Sequence, residues 1–198
     1  MRKKNLQNLK RRKNFKSLRK NFLIVCEGEK TEPFYFQSFR VPKKVFDVLG
    51  IGANTESLVK KTIEIRDNES TSYDEVWCVF DRDSFPIENF NKALSLAKKN
   101  RIQVAYSNEA FELWYLLHFH FHDSATSRTQ YETMLTQRLG FPYKKNDPNM
   151  YEHLFQLQET AINNAINLIN SYANHNPATD NPSTKVHILV QKLNKYSV

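Results

Sequence analysis

Four short apolar runs alternate, up to Tyr106, with stretches whose apolar residues recur at helical spacing. The runs are Phe22-Leu-Ile-Val-Cys26, Val45-Phe-Asp-Val-Leu-Gly-Ile51, Glu75-Val-Trp-Cys-Val-Phe80 and Ile102-Gln-Val-Ala-Tyr106. Near-continuous runs of this kind suit strands covered on both faces. After the first, Thr31 can cap a helix with Glu32 and Pro33 in its first turn, and Phe34, Phe36 and Phe39 carry it to about Arg40. After the second, Thr55 opens a helix through Leu58, Val59, Thr62, Ile63 and Ile65 that stops at Asp67-Asn68. Pro86 precedes a third, with Phe90, Ala93, Leu94 and Ala97 on one stripe, and Glu109 to Phe119 reads as a fourth. Strands alternating with helices predict an α/β fold: a four-stranded, mostly parallel sheet with right-handed crossovers, helices on both faces and the first strand central.

Beyond this repeat the periodicity is helical only. Leu154, Leu157, Ala161, Ala165, Leu168 and Tyr172 make one stripe, and Val186, Leu189, Val190 and Leu193 another after a Pro182-Ser-Thr184 start. Asn174 to Asn181 between them is a polar, proline-containing loop. The expected organisation is a basic, flexible arm over residues 1–20, an α/β core over 21–122 and a helical extension over 123–198 packed on that core. A chain of 198 residues can bury one good core.

Charge sharpens that division. Arg2, Lys3, Lys4, Lys10, Arg11, Arg12, Lys13, Lys16, Arg19 and Lys20 place ten cations and no acid in the first 20 residues, whereas the rest carries 19 cations against 21 acids. The net charge of +8 therefore belongs to the arm and not to the body. Such an arm either neutralises nucleic-acid phosphate or serves as a solubilising tail. Cys26 and Cys78 sit inside apolar runs, as small buried hydrophobes do. No stretch approaches the length of a bilayer crossing and the N-terminus lacks a signal peptide's apolar core, so a cytoplasmic protein is expected, with no membrane partner.

The residues that carry chemistry gather at the strand ends. Ligands of open α/β sheets bind beyond the carboxyl ends of the strands, where Glu27 ends the first run and Asp81-Arg82-Asp83 ends the third. If those strands are neighbours, Glu27, Asp81 and Asp83 converge, and their mutual repulsion favours a bound cation. Oxygen ligands without histidine or thiol suit Mg²⁺ or Mn²⁺ better than zinc, and that points to phosphoryl chemistry. The same acids could instead cap strand ends or pair with lysines.

Gly28-Glu29-Lys30-Thr31 is not a P-loop: the first glycine of that pattern would fall at Leu23, and Glu29 precedes the lysine. Lys30 can steady a substrate phosphate beside Glu27, or pair with Glu29 or Glu32. Asn108, Glu109 and Glu112 follow the fourth strand and form a possible additional site, as further ligands or a base, or else a helix cap. His118, His120 and His122 lack a second ligand pair and read as structural. Tyr143, Lys144, Lys145 and Lys185 are candidate phosphate contacts, or a solvated face.

Taken together, Leu23-Ile-Val-Cys-Glu-Gly-Glu-Lys-Thr-Glu-Pro33, Val79-Phe-Asp-Arg-Asp83, Ser107-Asn-Glu-Ala-Phe-Glu-Leu-Trp-Tyr-Leu-Leu-His-Phe119 and Asn181-Pro-Ser-Thr-Lys-Val186 resemble, in order, the motifs of the RloB family. That family is similar to a branch of the Toprim superfamily. The resemblance implies a Rossmann-like Toprim core, with a glutamate after the first strand and an Asp-x-Asp after a later one, as metal ligands or general acid/base. It also implies Mg²⁺-dependent cleavage of DNA or RNA, with tRNA among the candidate substrates, in antiphage defence or abortive infection, beside an ABC-type ATPase. A homo-oligomer is compatible with it. The alternative is a non-catalytic subunit that binds nucleic acid or docks the ATPase.

Overall fold

In the computed structural model, residues 20–41, 46–52, 54–70, 72–82 and 86–197 are described. The arm residues Arg2, Lys3, Lys4, Lys10, Arg11, Arg12 and Lys13 lie outside them, as does Asp83.

The α/β repeat comprises β1 (Phe22–Cys26), α1 (Thr31–Gln37), β2 (Phe46–Gly50), α2 (Thr55–Asn68), β3 (Glu75–Asp81), α3 (Ile87–Lys99) and β4 (Gln103–Asn108). It continues into α4 (Glu112–Leu116), α5 (Arg128–Leu139), α6 (Met150–Leu154), a 3₁₀ turn at Phe155–Leu157, α7 (Gln158–Asn170), β5 (Ser183–Thr184) and α8 (Val186–Asn194). The strands form one mixed sheet in the order β2-β1-β3-β4-β5. β1 pairs in parallel with β2 and β3, and β3 with β4, while β5 runs antiparallel to β4.

The period of two along each strand divides the core between the faces. Phe22, Ile24 and Cys26 of β1, Trp77 and Val79 of β3 and Ala105 of β4 point to one side, where α1 and α4 to α8 cover them. Leu23 and Val25, Val76, Cys78 and Phe80, and Tyr106 point to the other, against Leu58 and Val59 of α2 and Phe90, Ala93 and Ala97 of α3. The two cysteines thus lie on opposite faces, buried and unpaired, and burial raises both thiols, Cys78 to about 12. No helix among the described residues is long and apolar enough to cross a membrane.

Three elements differ from the periodicity. The sheet has five strands and not four, because Ser183 and Thr184, from the segment read as a helical extension, pair with Asn108 and Ser107. That pairing carries β4 through Ser107 and Asn108, so these are strand residues and not the cap of a helix, and α4 begins only at Glu112. The third difference is α5, which buries only Tyr131 and Leu135 and so has a weak apolar stripe. Its ends are nevertheless well specified: Ser127 and Gln130 form a capping box, and Gly140 closes it with φ 77°.

β5 is two residues long, so side-chain bonds do much of its anchoring. The Thr184 hydroxyl donates to the Tyr106 carbonyl at 2.9 Å, lies 3.0 Å from Ser107 Oγ and accepts from the Val186 N–H at 3.2 Å, all out of contact with water. Thr184→Val keeps the shape and removes these bonds. It should cost about 1–3 kcal/mol, read as a lower urea midpoint at unchanged slope. An unchanged midpoint would show that β5 is held by packing alone.

Candidate functional site

β1 and β3 lie side by side with Cys26 opposite Val79, and the chain leaves them toward opposite faces through α1 and α3. The connections therefore diverge beyond the carboxyl ends of these two strands, and a crevice opens there. Glu27 stands in it, its N–H donating to the Val79 carbonyl at 2.8 Å. Its Oε2 accepts from the N–H of Asp81 at 3.1 Å, so the first acid is hydrogen-bonded to the backbone of the second.

The crevice is a pocket of about 570 Å³. Glu27 to Glu32 line one wall, Gly52 and Asn54 the β2 side, Asp81, Phe111 and Glu112 the floor, and Arg128, Lys145 and Asn146 the far side. Its first wall needs small neighbours. A Cβ on Gly50 would lie 2.5 Å from the Gly28 carbonyl oxygen and 2.7 Å from Glu29 Cα, both backbone atoms that cannot swing aside. The loop from Gly28 to Lys30 thus runs against bare β2 backbone.

Five carboxylates line this pocket, those of Glu27, Glu29, Glu32, Asp81 and Glu112. Glu32 and Glu112 are 6% and 5% exposed, and with Glu27 they act on Asp81. Burial and the neighbouring Glu32 and Glu112 charges push the Asp81 carboxyl well above its ordinary range, against the opposing pull of Arg128. Glu32 is raised as well, by burial first and then by the Glu112 charge, against its own backbone N–H bond, Lys145 and Arg128, which pull it down. Arg128 Nη2 donates to Asp81 Oδ2 at 3.3 Å, while Asp81 Oδ1 is buried with no hydrogen-bond partner among the described residues. The Tyr143 hydroxyl donates to Glu112 Oε1 at 3.1 Å and that of Thr31 to Asn146 Oδ1 at 2.7 Å, tying the loop after α5 across the pocket.

Among the described residues no three or more His, Cys, Asp or Glu side chains are grouped to hold a metal ion. Mg²⁺ commonly takes one or two protein carboxylates and completes its shell with water and substrate phosphate. Glu27, hydrogen-bonded to the Asp81 backbone, and Asp81, with one unpartnered buried carboxylate oxygen, are donors that suit that hard, oxygen-seeking ion and not a softer one.

Other sequence candidates scatter. Lys30 lines the pocket and is exposed at the start of α1. Asn108 turns away, its side chain donating to the Asp180 carbonyl at 2.8 Å, and Glu109 lines a separate cavity with Arg82 and Thr179. Of the possible additional site, then, only Glu112 faces the acids. Lys145, not Lys144, lines the pocket, and Lys185 lies with Nζ 6.0 Å from the Tyr106 ring centroid, beside a different cavity. His118 is buried with Nδ1 2.9 Å from the Trp114 carbonyl oxygen and is pushed down to about 4 by burial, while His122 Nε2 lies 2.7 Å from Thr126 Oγ1.

Glu32, Arg128 and Asn146 are absent from the sequence candidates. Glu32 looks like an ordinary first-turn acid. The Ser127-Arg-Thr-Gln130 capping signature would have started α5 and so placed Arg128 on its first turn.

Residues 22–193 match the family model described as RloB-like protein. No curated protein and no solved structure matches the chain.

Because its carboxyl is raised in the folded chain, Asp81 binds its proton more tightly folded than unfolded between the ordinary carboxylate range and its folded value. Stability therefore falls as pH rises through that window and stays low above it. Asp81→Asn should melt higher than the parent at neutral pH in chelator, with the gain closing as pH drops through the ordinary carboxylate range. A gain that persists undiminished at low pH would rule out charge repulsion as its source.

Proposed function

The chain belongs to the RloB-like family, and on that premise we propose that it is a Toprim-like nuclease that hydrolyses the phosphodiester backbone of DNA or RNA, tRNA included, with Mg²⁺ or Mn²⁺. The observation that carries the proposal is the convergence of Glu27 and Asp81 at the diverging ends of β1 and β3, with Asp81 Oδ1 buried and unpartnered. Glu27 and Asp81 would hold the ion, joined by Asp83. Bound there, it would lower the pKa of a water and offset charge on the leaving oxygen.

The chain's own groups supply the rest. The Asp81 N–H fixes Glu27 Oε2, so the carboxylate enters the reaction already oriented and costs little further ordering. Lys30 presents a cation at the pocket mouth, where a strand phosphate would enter. The raised Asp81 carboxyl is the signature of crowded acids that a cation would relieve. The arm of residues 1–20 would add sequence-independent grip on the same strand. The family resemblance supports antiphage defence and an ABC-type ATPase partner that supplies the nucleotide chemistry for which this chain has no motif.

A second reading is a non-catalytic subunit that binds nucleic acid or docks the ATPase. It is favoured by the Arg128–Asp81 pair and by Lys145, cations of the chain's own that already offset part of the acidic charge.

Purified protein with Mn²⁺, alone and with the neighbouring ATPase, should cleave plasmid DNA or tRNA. Glu27→Gln and Asp81→Asn should each lower the rate about a hundredfold or more, equivalent to about 2.7 kcal/mol of barrier. Cleavage that survives both substitutions would move the chemistry elsewhere. Metal-independent binding that weakens steeply with salt, without cleavage, would favour the second reading.

A further inference from the structure

β4 pairs with β3 from Gln103 to Ser107, but β5 closes its other edge only at Ser107 and Asn108. Among the described residues, then, no strand lies on that side of Gln103 to Ala105. Successive residues of a strand turn their N–H and C=O to opposite edges. The Ser107 carbonyl accepts from the Arg82 N–H at 2.7 Å on the β3 side, and the Tyr106 carbonyl from the Lys185 N–H at 2.9 Å on the β5 side. Val104, two residues before Tyr106, therefore presents both backbone polar groups to the open edge. Such an edge is a template for another extended segment.

A cavity of about 310 Å³ lies along this edge, with Val104 in its lining. Its walls belong to both faces of the sheet, Leu94 of α3 on one and Ile188 of α8 on the other. That suits a strand, whose alternate side chains go to opposite faces. Three cations, Lys98, Arg101 and Lys185, line the cavity, and no acid does. We propose that the β4 edge is a docking site for an extended acidic segment of a partner protein, which adds as a strand beside Val104. Main-chain bonds to Val104 hold the segment, and the cations select the sign of its charge. The same charges disfavour other occupants. A second copy of the chain would set these cations against their own counterparts, and the arm of residues 1–20 carries ten more. A nucleic-acid strand would satisfy the cations but lacks the regularly spaced N–H and C=O groups of an extended peptide. The site shares no lining residue with the pocket at Glu27 and Asp81 and does not depend on nuclease activity.

The probe is an acetylated, amidated peptide of sequence Glu-Val-Glu-Val-Glu, added to the isotope-labelled full chain and followed by backbone amide chemical shifts. Shifts should concentrate at Val104 and its neighbours. They should approach saturation at about 5 mM peptide, the range expected of a few exposed hydrogen bonds and ion pairs. The counterpart with lysine in place of glutamate should leave these amides unmoved. So should the acidic peptide N-methylated throughout, which has no N–H to donate. Lys98→Gln and Arg101→Asn should each weaken binding about threefold, the size of an exposed ion pair. Asparagine tolerates the φ of 59° at position 101, so the second variant keeps the turn. Lys144→Gln, outside the cavity, should leave binding unchanged.

A Val104 amide unmoved by the acidic peptide, or moved equally by the lysine or N-methylated peptide, would overturn the proposal. So would tetrathymidylate moving the same amides at lower concentration, which would make the edge a nucleic-acid site. Sedimentation as a dimer whose formation blocks the peptide would equally overturn it, in favour of an interface between copies of the chain. A loss in Lys144→Gln as large as in Lys98→Gln would mean unspecific attraction to surface charge and would also reject it.

Discussion

Parallel pairing of β1 with β3 sets Cys26 beside Val79 and carries Glu27 to the backbone N–H of Asp81. Each strand is continuously apolar because helices cover both faces of the sheet, so a shift of register would expose buried residues or bury charged ones. The core's demand for one register is therefore also what brings the two acids together. The loop after β1 has little freedom either, since it passes against the bare backbone of Gly50.

The pocket built on that register is electrostatically strained. Glu32 and Asp81 are crowded beside Glu112, and burial alone already disfavours the ionised forms of the first two. Arg128 and Lys145 offset part of this, and Tyr143 donates to one carboxylate oxygen of Glu112. The compensation is incomplete, as the raised Asp81 carboxyl and its unpartnered Oδ1 attest. A fold that keeps such a group accepts a loss of stability at neutral pH, as sites for cations and reacting groups commonly do.

The chain after residue 122 supplies more than bulk. β5 closes the sheet edge at β4 through fully buried hydroxyls, and the loop before it is tied down by Asn108 and by a Tyr106–His175–Asp180 sequence of contacts at 2.5 and 2.8 Å. α5 and the loop that follows it reach back over the acids. Acidic wall and cationic wall thus come from different parts of the chain and meet only in the folded molecule.

The sequence by itself determined the elements of the repeat and two of the site's acids. A strand that is buried on both faces must be apolar throughout, and an acid at its end must lie on the sheet's rim, so Glu27 and Asp81 could be placed from local pattern. The membership of β5 was not legible: two residues have no periodicity, and their pairing with Ser107 and Asn108 spans more than 70 positions. Neither were the roles of Glu32 and Arg128, because a charged residue on a short helix or loop carries no mark of which way it faces. The same blindness separates Lys145 from Lys144 and Glu112 from Glu109, neighbours of equal charge that only backbone direction sends to different places. Tertiary structure decided these because electrostatic partners are chosen by distance in space, whereas hydrophobic period is written along the chain.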